Sequence, residues 1–181
     1  MGCQRGRNEF RTDQQQKQKG AENDGWTVAK TLLTFERSSA YAARLQSRLS
    51  EMRPLVMQTR ENALITRFNE LAIRVQGLEM SEFRIQSALA AGQSPGAASS
   101  QMKIMATETQ QAIDEMMMAA LGHYGVPWQP QARELGYNSE PVGPDEAPTL
   151  QADFLNNRAA SIYGGSNEVQ RNIIAKAALG L

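Results

Sequence analysis

The stretch LITRFNELAIRVQGLEMSEFRIQSAL, Leu64 to Leu89, decides the fold class. Its apolar residues Leu64, Phe68, Leu71, Val75, Leu78, Ile85 and Leu89 advance by alternating steps of four and three, and Glu82 fills the one position missing from the series. That spacing gathers the apolar residues on a single stripe of a helix and would scatter them over both faces of a strand. The pattern predicts a long helix from about Glu61 to Ala91.

Downstream, Gly92, Gln93, Ser94, Pro95 and Gly96 form a turn, and Met102, Met105, Thr109, Ala112, Met116 and Ala119 define a third helix ending near Gly122. Pro127, Pro130, Pro141, Pro144 and Pro148 then forbid a continuous helix between Gly122 and Thr149, so a long excursion is expected there. A fourth helix is expected from about Gln151 to Tyr163, halted by Gly164 and Gly165, and a last one from Asn167 to Ala178. Upstream, Asn23, Asp24 and Gly25 precede a periodic stretch that runs to Arg53, just before Pro54, with Ala29, Leu32, Leu33, Ala40 and Ala43 on its stripe and Trp26 and Phe35 on its flanks. This reads as a first helix of about seven turns. Residues 1–20 are polar and partly low in complexity, as in the run Gln14, Gln15, Gln16, Lys17, Gln18, Lys19, and are expected to be disordered.

No segment alternates with period two. Short connections between long helices make neighbours antiparallel, so the expected fold is all-α: an up-down four-helix bundle over residues 21–181 with an extra C-terminal helix. Met102, Met105, Met116, Met117 and Met118 read as core filler or a helix–helix interface.

The chain of 181 residues holds 19 Lys+Arg against 19 Asp+Glu. A zero net charge offers no basic excess for nucleic acid or an anionic membrane surface. The single cysteine, Cys3, and single histidine, His123, exclude a disulfide framework and a Cys/His zinc site within one chain, so no metal is expected. No apolar run reaches the roughly 20 residues of a membrane span. A cytoplasmic location is expected.

Two places break the local pattern. Glu36 falls inside the first helix's apolar stripe, where an ionised carboxylate is costly unless paired; burial would raise its pKa toward that of a general base. Arg37 or a partner helix could equally pair it as a buried structural bridge, the reading that periodicity alone favours, and Glu82 invites the same structural reading or marks a wet subunit interface. The second place is Tyr163 to Arg171, YGGSNEVQR. Its paired glycines permit a sharp turn, Asn167 can cap the following helix with Gln170 at its third position, and the first-turn amides suit a phosphate or pyrophosphate. A plain helix–turn–helix joint is the commoner outcome for a lone Gly-Gly.

Phe154 to Leu181, FLNNRAASIYGGSNEVQRNIIAKAALGL, resembles the closing segment of acyl-CoA dehydrogenases, and Gly25 to Arg37, GWTVAKTLLTFER, resembles the opening of the same family's C-terminal bundle. The resemblance covers Ala21 to Leu181. It implies a bundle that packs, in a complete enzyme, against an amino-terminal helical domain and a β domain, holding FAD between domains and subunits. In that family a glutamate removes the pro-R α proton of an acyl-CoA thioester, the β hydrogen leaves as hydride to the flavin, and electrons pass on to an electron-transfer flavoprotein.

Many members carry the base just after the tyrosine of IYxG, where this chain has Gly164. Others place it before an arginine on the domain's first helix, which here gives Glu36 as catalytic base. By the same carry-over Arg37 lies near CoA, Tyr163, Gly164 and Gly165 line the substrate and flavin site, and Ser166 and Glu168 contact FAD. The family's Arg-x-x-Phe-Gly motif is absent from Leu55 to Ala63, and Gln-x-Leu-Gly-Gly is reduced to Ala119, Ala120, Leu121, Gly122, His123. The resemblance therefore implies FAD shared with other domains or another subunit, and a homo- or hetero-oligomer with dehydrogenase subunits. The rival expectation is a non-catalytic bundle, a fragment or scaffolding subunit, in which Glu36 has lost its role.

Overall fold

The computed structural model describes residues 23–29 and 41–180. The chain divides into two units, Met1–Arg37 and Ser38–Leu181. In the first, residues 25–29 are helical, opened by the Val28 amide donating to the Asp24 carbonyl at 3.2 Å. The expectations for Leu32, Leu33, Phe35, Ala40 and residues 1–20 lie outside the described residues.

The second unit holds five α-helices: α1 (Tyr41–Thr59), α2 (Asn62–Ala90), α3 (Ala97–Leu121), α4 (Ala147–Asn156) and α5 (Asn167–Leu179). There is no strand among the described residues, and no helix among them is long and apolar enough to cross a membrane. Helix α2 follows its expected stripe: Leu64, Phe68, Leu71, Val75, Leu78 and Ile85 are buried, each removal of such a side chain from water stabilising by roughly 1.5–3 kcal/mol.

Helix α1 corrects two expectations. It does not stop at Arg53 but carries Pro54 inside and continues to Thr59. The proline ring forfeits the hydrogen bond to the Ser50 carbonyl, but both residues are exposed, so water takes that carbonyl while Met52 and Val56 stay buried on the opposite face. The stripe is also displaced: Ala42, Leu45 and Leu49 are buried and Ala43 is exposed.

Helix α3 sits in the middle, packing on α1, α2, α4 and α5. A helix with neighbours on several sides has no single apolar stripe. Met102, Thr109 and Met116 are buried as expected and Met105 and Ala112 half-buried, but Ala119 is exposed, while Ile113, Met117, Lys103, Gln110 and Asp114 are buried. The methionines form core, with Met102, Met116 and Met117 each almost wholly enclosed.

The proline-rich excursion after α3 holds two short 3-10 turns, Gly122–Gly125 and Pro130–Arg133. One side chain ties it together: Gln129 accepts from the Val142 amide at 2.7 Å and donates to the Val142 carbonyl at 3.1 Å, as a paired strand would. Helix α4 then begins at Ala147 rather than near Gln151, because Pro148 falls in the first turn, where a missing N–H leaves nothing unsatisfied. It ends at Asn156 and tightens into a 3-10 turn, Asn157–Ser161, instead of running to Tyr163.

Candidate functional site

The segment from Asn157 to Gln170 is fixed to α3 from below. The Gln111 side chain donates to the carbonyls of Asn157 and Arg158 at 3.0 and 3.3 Å, satisfying acceptors that the end of α4 leaves open. Arg158 grips in return: its guanidinium lies 4.6 Å from the Phe154 ring centroid, donates to the Gln111 carbonyl at 3.2 Å and pairs with Glu115 at 3.0 Å.

Above this base the chain turns through Gly164 and Gly165, at φ +68° and +89°. That left-handed conformation strains any residue bearing a Cβ. Beyond its chain neighbours, a Cβ placed on Gly164 would meet no atom of the described residues within 4 Å. Tyr163 beside it is 56 % exposed, and Gly164 and Glu168 are exposed within five residues of it, giving an accessible edge along the chain.

Ser166, not Asn167, caps α5. Its hydroxyl accepts from the Val169 amide at 3.4 Å, and Gln170 folds back to donate to the Gly165 carbonyl at 3.1 Å. The rule that a short polar residue opens the helix held, one position earlier than expected, because Asn167 is buried and engaged elsewhere: its Oδ1 accepts from Lys103 Nζ at 2.8 Å and lies 3.3 Å from the Thr107 hydroxyl. Glu168 is exposed. Its own backbone amide, then the Ser166 hydroxyl, hold its carboxyl below the usual range, helped by the charges of Arg171 and Lys103.

Glu36 and Arg37 lie outside the described residues. Glu82 proves structural: buried at 7 % exposure, its carboxylate accepts the amides of Tyr41 and Ala42 and so closes the start of α1. No group of three or more His, Cys, Asp or Glu able to hold a metal occurs among the described residues. Sequence reasoning missed the supports, Gln111, Arg158, Lys103 and Asn167. Asn167 alone is singled out by the sequence, as the cap of the last helix and not as the buried partner of Lys103.

As a place for a flavin, this edge fits on one side. Gly164 brings backbone to the surface beside an aromatic ring, an exposed carboxylate is held toward its ionised form as a hydrogen-bond acceptor, and the buried Oε1 of Gln170 has no hydrogen-bond partner among the described residues.

The family model described as acyl-CoA dehydrogenase, C-terminal domain, matches residues 23–179. The chain belongs to the acyl-CoA dehydrogenase family, whose C-terminal helical domain it carries, and that family uses FAD. Among similar proteins, the acyl-CoA dehydrogenase IpdE1 of Mycobacterium tuberculosis is 31% identical over 169 residues, spanning 90% of this chain and 40% of its own length. The acyl-CoA dehydrogenase FadE34 of the same organism is 29% identical over 164 residues, spanning 90% of this chain and 20% of its own length. The chain thus spans less than half the length of these curated relatives. In fold it resembles a chain of the ChsE4–ChsE5 complex from M. tuberculosis, with a TM-score of 0.67 at 24% identity, over 90% of this chain and 42% of that one.

Proposed function

We propose that this chain supplies the catalytic base and one wall of the substrate cleft in a flavin-dependent acyl-CoA dehydrogenase, assembled with a second dehydrogenase subunit. Glu36 takes the α proton of the acyl thioester, and Arg37 lies beside the CoA moiety. Tyr163, Gly164 and Gly165 line the acyl chain, while Ser166 and Glu168 contact the cofactor. FAD, when bound, accepts the β hydrogen as hydride, leaving a trans-2-enoyl-CoA, and its electrons go to an electron-transfer flavoprotein.

The observation that carries this reading is the vacancy at Gly164. At the position where many family members place their base, this chain has no side chain and open space, in a backbone conformation that penalises one. The reaction still needs a carboxylate, and the Glu36–Arg37 pair matches the family's other solution. The assembly part is supported by the fold, which resembles a chain of a solved two-protein complex.

Colour tests it. The chain co-expressed and co-purified with a neighbouring dehydrogenase subunit is expected to carry flavin absorbance that bleaches when an acyl-CoA is added without oxygen. A stable complex that never binds flavin would leave the scaffolding reading in its place.

A further inference from the structure

Lys103 is a buried charged group that the reading above does not use. It is 3% exposed, within α3, and its ammonium donates to Asn167, the first residue of α5. Burying an ammonium is unfavourable unless hydrogen bonds replace its water, and the amino-terminal end of a helix repels a cation. Methionine, of similar length, would fill the same space between α3 and α5 with neither penalty. A lysine here is therefore unfavourable for simple packing, and its bond to Asn167 holds that side-chain oxygen in place.

The bonds around Asn167 show what is held. Its Oδ1 takes Lys103 and the Thr107 hydroxyl; its Nδ2 lies 3.5 Å from Glu108 Oε1, which Arg171 of α5 also reaches, at 2.6 Å. Asn167 follows Ser166 directly and Gly165 by two residues, so fixing it fixes the cap and the left-handed turn ahead of it. The Lys103 charge also acts on Glu168, one residue further, in the sense that keeps that carboxylate ionised.

We propose that Lys103 is a positioning residue. Through Asn167 it locks the first turn of α5, and with it sets the placement of Gly165, Ser166 and Glu168 at the edge that meets the flavin. The last step rests on the reading given under Proposed function; the locking itself does not.

Hydrogen exchange in the purified full chain tests the locking without any cofactor. The amides of Val169 and Gln170, bonded to Ser166, report the turn, and those of α2 report the bundle. In Lys103→Met they are expected to exchange at least about tenfold faster, since a hydrogen bond from a charged donor is lost, with α2 unchanged and protection restored in Lys103→Arg. Unchanged Val169 and Gln170, or equal acceleration in α2, would overturn the proposal. Should Lys103→Met fail to fold, Asn167→Ala decides: it is expected to loosen the same two amides, and their staying protected would overturn the proposal equally. In the co-purified complex, Lys103→Met is then expected to weaken flavin binding about tenfold, read by flavin fluorescence, with Lys103→Arg close to the parent. A loosened turn in a complex whose parent binds no flavin would instead sink the functional reading and leave the positioning role standing.

Discussion

Glu82, in the last third of α2, accepts the backbone amides of Tyr41 and Ala42 at 2.5 and 3.0 Å and so closes the amino-terminal end of α1 from a neighbouring helix. Helix starts leave unsatisfied N–H groups and a partial positive charge, and a buried carboxylate answers both. Glu82→Ala is expected to lower stability by about 1–3 kcal/mol, because one buried and one half-buried amide lose their acceptor. Urea denaturation followed by circular dichroism measures it; an unchanged midpoint would mean water serves these amides equally well.

Asp114, 1% exposed, ties three elements together: Arg48 of α1 donates to it at 2.9 and 3.1 Å and Asn157 after α4 at 2.8 Å, while Arg48 also reaches Asp153 at 2.8 Å. Burial nonetheless wins, and the Asp114 carboxyl stands above its ordinary value. A raised folded pKa means the folded state holds the proton more tightly than the unfolded one. This group's contribution is therefore fullest below the unfolded pKa and is lost as pH rises through the folded one. Arg48→Met should cost about 3–5 kcal/mol at neutral pH, by stranding a buried carboxylate, and part of that loss should return in mildly acidic buffer. Denaturation midpoints at the two pH values check this; a loss independent of pH would contradict it.

The cap of α5 offers a third check. Ser166→Ala removes the acceptor for the Val169 amide and should destabilise by about 0.5–2 kcal/mol. It also removes a hydrogen bond that holds the Glu168 carboxyl low, so that pKa should move up toward the ordinary carboxylate range. Because Glu168 is depressed in the folded state, its contribution is present above the unfolded pKa and disappears as pH falls through the folded one. Carbon-detected NMR titration of Glu168 reads the shift, and an unmoved pKa would show that its own amide suffices.

Two glycines with the same backbone sign should respond unequally to alanine. Gly164→Ala meets no neighbour and carries only the left-handed strain, about 1–2 kcal/mol. Gly143→Ala, at φ +91°, carries that strain and also drives a Cβ to 2.6 Å from the Tyr124 ring, so its loss of stability should be the larger. Thermal melts of the two variants compare them; equal losses would mean Tyr124, half-exposed, simply swings away.

Where a helix presents one face to one core, the sequence shows it, as the Leu64 to Leu89 stripe does. Where a helix is central the stripe dissolves: Ala119 faces out while Lys103 and Asp114 face in, because their partners lie on α1, on α5 and in the turn after α4, which periodicity cannot register. Prolines misled in both directions. Pro54 is tolerated inside α1 because its face is wet, and Pro148 opens α4 because the first turn needs no N–H there. At the candidate site, the glycine turn and the capped helix beyond it could be read from Gly164 to Gln170. The choice of Ser166 over Asn167 could not, since it depends on a lysine 64 positions away.

The central claim, that Glu36 is the proton acceptor, is tested most directly by Glu36→Gln in the co-purified flavin complex, mixed with acyl-CoA under anaerobic conditions. The account predicts undiminished flavin absorbance and bleaching slower by about a thousandfold, since the amide can shape the site but cannot take the proton. Bleaching at the parent rate, or loss of the flavin along with the activity, would contradict it.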